Sequence, residues 1–124
     1  MLRPGGRLVV VTDNVETLDF KLFGARHWGG YHFPRHWNLF SRGTLGALAR
    51  GVGFEVEEIA TRLSPVNWVY SVRNCLVDYA APRWIVDRFS LASPGSLALF
   101  TVVDRLFQAM GRGALLRAFL RLPA

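Results

Sequence analysis

The stretch PGGRLVVVT, residues 4–12, constrains the fold more than any other part of the sequence. A Pro-Gly-Gly turn leads into an uninterrupted β-branched run, which predicts a strand over Leu8–Thr12. Because its apolar residues are continuous rather than alternating, we expect both faces of this strand to be covered, as in a parallel α/β sheet. Asp13 and Asn14 follow directly, and their turn-forming side chains end the strand.

An aromatic-rich segment, residues 20–40, comes next and contains all three histidines of the chain. Three glycines and Pro34 interrupt any regular period, so the segment predicts a long loop, with a short helix near Leu18–Phe23. Loops of this length inside a compact domain are usually functional or disordered, and the many aromatic side chains argue against disorder.

A helix and a second strand follow the aromatic segment. Ser41 is a favoured N-cap residue, and apolar side chains at helical spacing predict a helix after it. These side chains are Leu45, Leu48, Ala49 and Val52. Gly51 or Gly53 then ends the helix. Residues 54–60 alternate between apolar and acidic residues, apart from the Glu57-Glu58 pair, which predicts a strand with one exposed face.

The second half of the chain has a helical pattern. Apolar stripes predict helices over residues 66–80, 83–90 and 94–110. The third is apolar over most of its circumference, so we expect it to be buried or to lie on an apolar surface. The final stretch, residues 114–122, has the composition of a helix, although its alternating apolar residues also allow a strand.

The composition excludes several classes of protein. The chain is 51% hydrophobic, which is enough to bury a core, and its single cysteine, Cys75, excludes an internal disulfide framework. Its net formal charge of +6 comes from scattered cations, so we do not expect a nucleic-acid partner. We find no signal peptide and no apolar run of spanning length, which predicts a cytoplasmic protein. Contact with the inner face of the membrane through residues 66–110 is the alternative.

Three motifs occur in a characteristic order: LRPGGRL at 2–8, FPRHWNLFS at 33–41 and GFEV at 53–56. Together they resemble the C-terminal half of a class I S-adenosylmethionine-dependent methyltransferase. The resemblance covers residues 2–60 well and the remainder only in outline. It implies a partial Rossmann-like sheet, in which the last strand is antiparallel and inserted beside the fifth.

By this resemblance, Leu8–Thr12 is the fifth strand, Phe54–Ala60 the sixth and 114–122 the seventh. Residues 1–124 would then be the C-terminal part of one methyltransferase domain. Its parts are a core at 1–62, a helical insertion or lid at 63–112 and a final strand at 113–124. The glycine-rich loop and the acidic residue that bind the cofactor nucleoside in this family are missing. We therefore expect a fragment that is inactive alone.

The activity implied by the resemblance is methyl transfer from S-adenosylmethionine to an O, N or C nucleophile of a small molecule. His32 and His36 are the candidate catalytic residues, because a histidine can accept the proton of a hydroxyl as the methyl group arrives. Arg35 would orient an anionic or carbonyl group of the substrate, and Trp37 of the same loop is a further substrate-binding candidate. The structural alternative is that Arg35 and His36 bond to backbone groups and fix the loop to the sheet.

Asp13 and Asn14 are further candidates for substrate binding, since ligands of open α/β sheets bind at the carboxyl ends of strands. Their structural alternative is an ordinary turn after a strand. A metal site formed by His27, His32 and His36 lacks a cysteine or an acidic cluster, so we expect no metal.

Two alternatives concern partners rather than chemistry. The fifth strand has an exposed edge, which could pair with an upstream half or with a second copy of the chain in a non-catalytic interaction module. The helices of residues 63–112 could instead form a lid over a lipophilic substrate or a face that contacts a membrane.

Overall fold

A computed structural model describes residues 2–31 and 38–124. In these ranges the elements are β1 (Arg7–Asp13), α1 (Leu18–Phe23), α2 (Arg42–Gly51), β2 (Glu55–Arg62), α3 (Pro65–Asp78), α4 (Arg83–Val86), α5 (Pro94–Ala109) and β3 (Leu115–Arg121). The mixed α/β class expected from the sequence is confirmed, with an open, three-stranded antiparallel sheet and several helices.

The sheet has the strand order β1-β3-β2, so the last strand in sequence lies in the middle. β3 is antiparallel to both neighbours, and Ala118 is paired with Val10 on one side and with Ile59 on the other. β1 and β2 therefore run parallel to each other. Helix propensity alone favours a helix over the residues of β3. In the structure, the side chains of Leu116 and Leu120 are buried on one face of the strand. Pairing with a strand on each side outweighs the helix propensity.

One face of the sheet forms a core with α2. Leu45 and Ala49 of this helix pack against Leu116, Ala118 and Leu120 of β3. The predicted apolar stripe was wrong in part, because Leu48 and Val52 are exposed. The physical reason is Gly46, which is buried. Because it has no side chain, the backbone of the helix itself faces the sheet at this position. A β carbon there would lie 3.5 Å from Cδ1 of Ile59.

The ends of α2 confirm the predicted capping. The Ser41 hydroxyl accepts a hydrogen bond of 3.1 Å from the Thr44 amide, and Thr44 Oγ1 accepts one of 2.8 Å from the Ser41 amide. This reciprocal pair is a capping box. Gly53 follows the helix with a φ of 91°, a left-handed conformation that glycine adopts without strain.

The irregular alternation of β2 has a structural cause. A β-bulge lies between Val56 and Glu58, where the register against β3 shifts by one residue. A bulge inserts one extra residue, which interrupts the period of two at the Glu57-Glu58 pair. Glu55, Glu57 and Glu58 are all exposed.

A second core lies among the helices. Trp68 and Val69 of α3 pack with Phe100 of α5, and the rings of Trp68 and Phe100 stack with centroids 5.8 Å apart. The opposite side of α5 is not covered, since Leu99, Val102 and Leu106 are exposed. Across the described ranges, no helix combines the length and apolar content needed to cross a membrane.

The expectation that both faces of β1 are covered was wrong. Val9 and Val11 are 51% and 56% exposed. The reason is that β1 is an outer strand of the sheet and the α2 core lies on the other face, toward which Val10 is directed. Val9 and Val11 thus form an exposed apolar surface on the face of β1 that is opposite α2.

Candidate functional site

Buried polar side chains surround the carboxyl end of β1. They are Asp13, Asn14, Thr17, Asp19, Asn67, Ser71 and Asp104, and we refer to them as the β1-end cluster. They come from β1, from the turn and helix that follow it, and from α3 and α5. Polar groups this deeply buried need partners, and this end of a strand is also where α/β sheets bind ligands.

Asp13 links the sheet to the helices. It is the last residue of β1, and its Oδ1 accepts a hydrogen bond of 2.9 Å from Nδ2 of Asn67 on α3. Both side chains are buried. The bond therefore fixes where α3 crosses the end of the strand.

The side chain of Asn14 forms hydrogen bonds within the protein. Its Nδ2 donates to the Gly113 carbonyl at 2.9 Å, and its Oδ1 accepts from the Glu16 amide at 3.0 Å. The second bond forms a turn of the kind expected after the strand. The first bond joins the end of β1 to the residues before β3, so the two polar atoms of the side chain stabilise that junction and the turn. Contact of Asp13 or Asn14 with a substrate stays a prediction.

Asp19 of the cluster is hydrogen-bonded to a buried tryptophan. Trp28 Nε1 donates a hydrogen bond of 2.8 Å to Asp19 Oδ2, and both side chains are almost fully buried. The other oxygen, Asp19 Oδ1, has no hydrogen-bond partner among the residues that the structure describes. Thr17 caps the same helix, since its Oγ1 accepts from the Phe20 amide at 3.3 Å.

At Gly29, directly after Trp28, the backbone lies against α3. The Gly29 amide donates to Ser71 Oγ at 2.8 Å, and Ser71 Oγ in turn donates to the Asn67 carbonyl at 2.7 Å. A β carbon on Gly29 would lie only 2.3 Å from that carbonyl oxygen. This close backbone approach is the reason a glycine is required here.

Asp104 is a buried carboxyl group near Asp19. Its Oδ2 accepts a hydrogen bond from the Ser64 amide. Burial raises the pKa of Asp104 from its ordinary value of 3.8 to about 6, and the negative charge of Asp19 adds to the rise, while backbone hydrogen bonds from Ser64 and Ala114 oppose it. An acidic side chain inside a largely apolar helix is the one sequence signal that points to Asp104.

Four predicted site residues, His32, Arg35, His36 and Trp37, lie outside the described residues. The described residue that precedes them, Tyr31, packs edge-on against Trp28 with ring centroids 5.2 Å apart. Downstream, the Phe40 carbonyl accepts a hydrogen bond of 3.1 Å from the Val15 amide. Both described flanks of the segment therefore contact residues that follow β1.

His27 belongs to a different group of side chains. Its Nε2 lies 3.1 Å from Oδ2 of Asp78, and Arg26 donates to the other oxygen of Asp78 at 2.9 Å. These contacts join the end of α1 to the end of α3. Within the described ranges, no three histidine, cysteine or acidic side chains are grouped closely enough to bind a metal ion.

Sequence reasoning missed Asp19, Asn67, Ser71 and Asp104. Each of them belongs to a helix whose sequence pattern is dominated by apolar residues. Only the tertiary packing shows that these four polar side chains lie close together.

Comparisons of this chain with models of protein families, with curated proteins and with solved structures give no match. Any assignment of function therefore depends on the geometry of the described residues and on the resemblance carried by the sequence motifs.

Proposed function

We propose that this chain is the acceptor-side half of a class I S-adenosylmethionine-dependent methyltransferase domain. Its role is methyl transfer to an O, N or C nucleophile of a small molecule. The observation that supports this most is the strand order β1-β3-β2. In the family that the motifs resemble, the last strand is antiparallel and inserted beside the fifth, and β3 has this place beside β1.

The two edges of the sheet differ in a way that supports the same proposal. The β2 edge has a bulge and three exposed glutamates, Glu55, Glu57 and Glu58. Bulges and charges are devices that prevent an edge from pairing. The β1 edge has neither between Arg7 and Asp13, and Val9 and Val11 are exposed there. β2 is therefore suited to be an outer strand, and β1 is suited to accept a neighbour.

The backbone of β1 points to the same conclusion. The Asn14 amide donates to the Ala114 carbonyl of the adjoining strand at 3.0 Å. In an antiparallel ladder, hydrogen-bonded and non-hydrogen-bonded residues alternate. Val10 and Thr12 therefore bond to β3, and the amides of Val9 and Val11 are directed toward the open edge. A further strand along β1 would accept these hydrogen bonds.

The described residues do not fit the cofactor by themselves. A nucleoside cofactor needs a glycine-rich turn after a strand and an acidic acceptor for its hydroxyl groups. β1 is followed by Asn14 and Glu16, whose polar groups are used internally. Gly111 and Gly113 precede a strand, and Gly113 is packed against the Arg62 backbone. We therefore derive no step through S-adenosylmethionine on this chain.

The contribution of this chain is the fixed carboxyl end of β1, on which an acceptor is positioned. Methyl transfer depends mainly on aligning the nucleophile with the methyl group, and a base adds a smaller effect. We assign that base to His32 or His36 and substrate contact to Arg35 and Trp37. Asp13 and Asn14, the other predicted contacts, are buried and hydrogen-bonded within the protein, so they fix the end of the strand beside the acceptor. The β1-end cluster supplies rigidity, since its hydrogen bonds join β1, α1 and α3.

A calorimetric titration with S-adenosylmethionine tests the proposal. It compares this chain alone with a polypeptide in which the chain continues from the sequence encoded directly upstream. We expect no saturable binding to the chain alone and saturable one-to-one binding to the longer polypeptide. Tight binding to the chain alone would contradict the proposal. So would an upstream sequence that encodes no glycine-rich strand–loop–helix, or a longer polypeptide that does not bind.

The exposed edge of β1 also supports a second candidate, a non-catalytic module that assembles through pairing of two β1 strands. Light scattering coupled to size-exclusion chromatography separates the candidates. Self-association that is lost in Val9→Lys and retained in Glu55→Gln would favour the module. Both variants change an exposed strand position and raise the net charge by one, so the second controls for charge. A monomer at all concentrations removes this candidate.

A peripheral membrane contact is the remaining interpretation, and it depends on the exposed apolar side of α5. Leu99, Val102 and Leu106 recur at helical spacing on that side. Flotation with vesicles that contain phosphatidylglycerol at low salt tests it. Flotation that is lost in Leu106→Gln supports the contact, and absence of flotation excludes it.

A further inference from the structure

A basic groove of about 870 Å³ lies between α1, α2 and the turn that joins α5 to β3. Four cationic side chains line it, namely Lys21, Arg42, Arg50 and Arg112, together with one carboxylate, Glu16. It opens beside the residues that follow β1, and its four cationic side chains take no part in the side-chain hydrogen bonds given above for the β1-end cluster. Neither the sequence motifs nor the proposed methyl transfer accounts for it.

Within the described part of the chain, the cations of the groove form no ion pairs. Over residues 2–31 and 38–124, the ion pairs of this protein involve Arg7, Arg26 and His27, and none of them lines the groove. The Glu16 carboxylate accepts a hydrogen bond of 2.9 Å from the Arg42 backbone amide, and it therefore stabilises the first turn of α2. Bringing like charges together in a concave surface costs free energy unless an anion balances them.

Two of the guanidinium groups have defined positions. Arg42 Nη2 donates to the Gly111 carbonyl at 3.1 Å, which anchors one side of that group. Gly111 has a φ of 73°, a conformation that glycine adopts readily. Arg50 lies over Gly46, where a β carbon would be only 3.2 Å from Nη2 of Arg50. The Arg50 guanidinium therefore lies against the helix backbone at Gly46.

From this geometry we propose that the groove binds the phosphate group of a small phosphorylated molecule. A guanidinium presents parallel N–H donors that match two phosphate oxygens, and such charge-assisted bonds are stronger than neutral ones. Four cations against one carboxylate leave an excess of three positive charges, which suits a dianionic phosphate. The inference is independent of methyl transfer, because it uses no residue of the proposed methyl-transfer site.

Calorimetry with inorganic pyrophosphate at low ionic strength tests the site. We expect saturable binding, with a dissociation constant raised about tenfold by Arg50→Gln and by Arg112→Gln. Arg83→Gln is the matched control, since Arg83 is exposed on α4, outside the groove, and its loss removes the same charge. We expect it to change affinity less than twofold. An equal effect of all three variants, or no saturable binding, would overturn the proposal.

A variant that keeps every charge separates a formed site from a general excess of cations. Arg50→Lys keeps the charge but loses the planar guanidinium, and we expect it to weaken pyrophosphate binding several-fold while the protein stays folded, as checked by its melting temperature. Unchanged affinity in folded Arg50→Lys would contradict a site formed by guanidinium groups. Vesicles of phosphatidylglycerol distinguish the source of the phosphate. Binding to vesicles that requires Arg50 and Arg112, without binding of pyrophosphate, would overturn the small-molecule assignment.

Discussion

Asn67 on α3 donates a 2.9 Å hydrogen bond to the carboxylate of Asp13 at the end of β1, and both side chains are buried. This bond crosses from the helical core to the sheet, two parts of the protein that otherwise have separate apolar cores. A buried polar contact of this kind orients the two parts, because apolar packing alone permits several alignments.

Removing the Asn67 amide should therefore destabilise the protein. We expect Asn67→Ala to lower the free energy of unfolding by about 2 kcal/mol, because a buried carboxylate loses a donor and a cavity is left. Urea unfolding followed by circular dichroism measures the change. Asn74→Ala is the control, since Asn74 is exposed and donates to the His27 carbonyl at 3.2 Å. A loss no larger than that of the control would show that the Asp13–Asn67 bond is not important.

Stability should depend on pH through Asp104. Its pKa is raised from 3.8 to about 6, chiefly by burial, so between these values the folded state binds more protons than the unfolded state. The free energy of unfolding should therefore fall as pH rises from 4 to 6, by up to about 3 kcal/mol from this group, at roughly 1.4 kcal/mol for each pKa unit. Above pH 7 its contribution is constant.

The variant Asp104→Asn isolates that effect. Since asparagine does not ionise, its stability relative to the original protein should increase between pH 4 and pH 7. Urea unfolding at several pH values gives this difference. A difference that is independent of pH would mean that the pKa of Asp104 is the same in the folded and unfolded states.

The pKa of Asp104 should respond to removal of the Asp19 charge. The charge of Asp19 contributes to the raised pKa of Asp104, after burial. We expect Asp19→Asn to lower the pKa of Asp104 while leaving it above 3.8, because burial remains. The pKa of Asp104 is measured by NMR, from the chemical shift of its carboxyl carbon as a function of pH. An unchanged Asp104 titration would indicate that the two carboxyl groups do not interact.

Gly29 should not tolerate a side chain. A β carbon would lie 2.3 Å from the Asn67 carbonyl oxygen and 2.7 Å from Cβ of Tyr70. We expect Gly29→Ala to destabilise the protein by more than about 3 kcal/mol, or to prevent folding. At Gly51 nothing lies within 4 Å of the same position, so Gly51→Ala should leave the melting temperature unchanged or raise it slightly. Equal melting temperatures of the two variants would contradict the close approach.

Local patterns predicted those elements whose signal lies within a few residues. Ser41 and Gly53 mark the limits of α2 because capping and left-handed turns depend on local chemistry. The strand at Leu115–Arg121 required more than local chemistry, since its leucines and arginines favour a helix. Its place between two strands decides its conformation, and that place follows from the sequence resemblance rather than from propensity.

The candidate sites were less predictable. Asp13 and Asn14 were found because they end a strand, whereas Asn67 and Asp104 are single polar residues within apolar helices. The basic groove was not predicted, because Lys21, Arg50 and Arg112 come from three distant segments whose convergence depends on the tertiary fold. The exposed surface of Val9 and Val11 was not expected either, since a continuous apolar run does not reveal which neighbours cover it.

In the proposed methyltransferase domain, β1 accepts a further strand from the upstream part. Amide hydrogen exchange at β1, measured by NMR, tests this pairing most directly. In the monomeric chain alone, Val9 and Val11 should exchange at least about 100-fold faster than Val10 and Thr12, whose amides bond to β3. In the longer polypeptide that includes the upstream sequence, all four should exchange slowly. Fast exchange of Val9 and Val11 in that longer polypeptide would contradict the account.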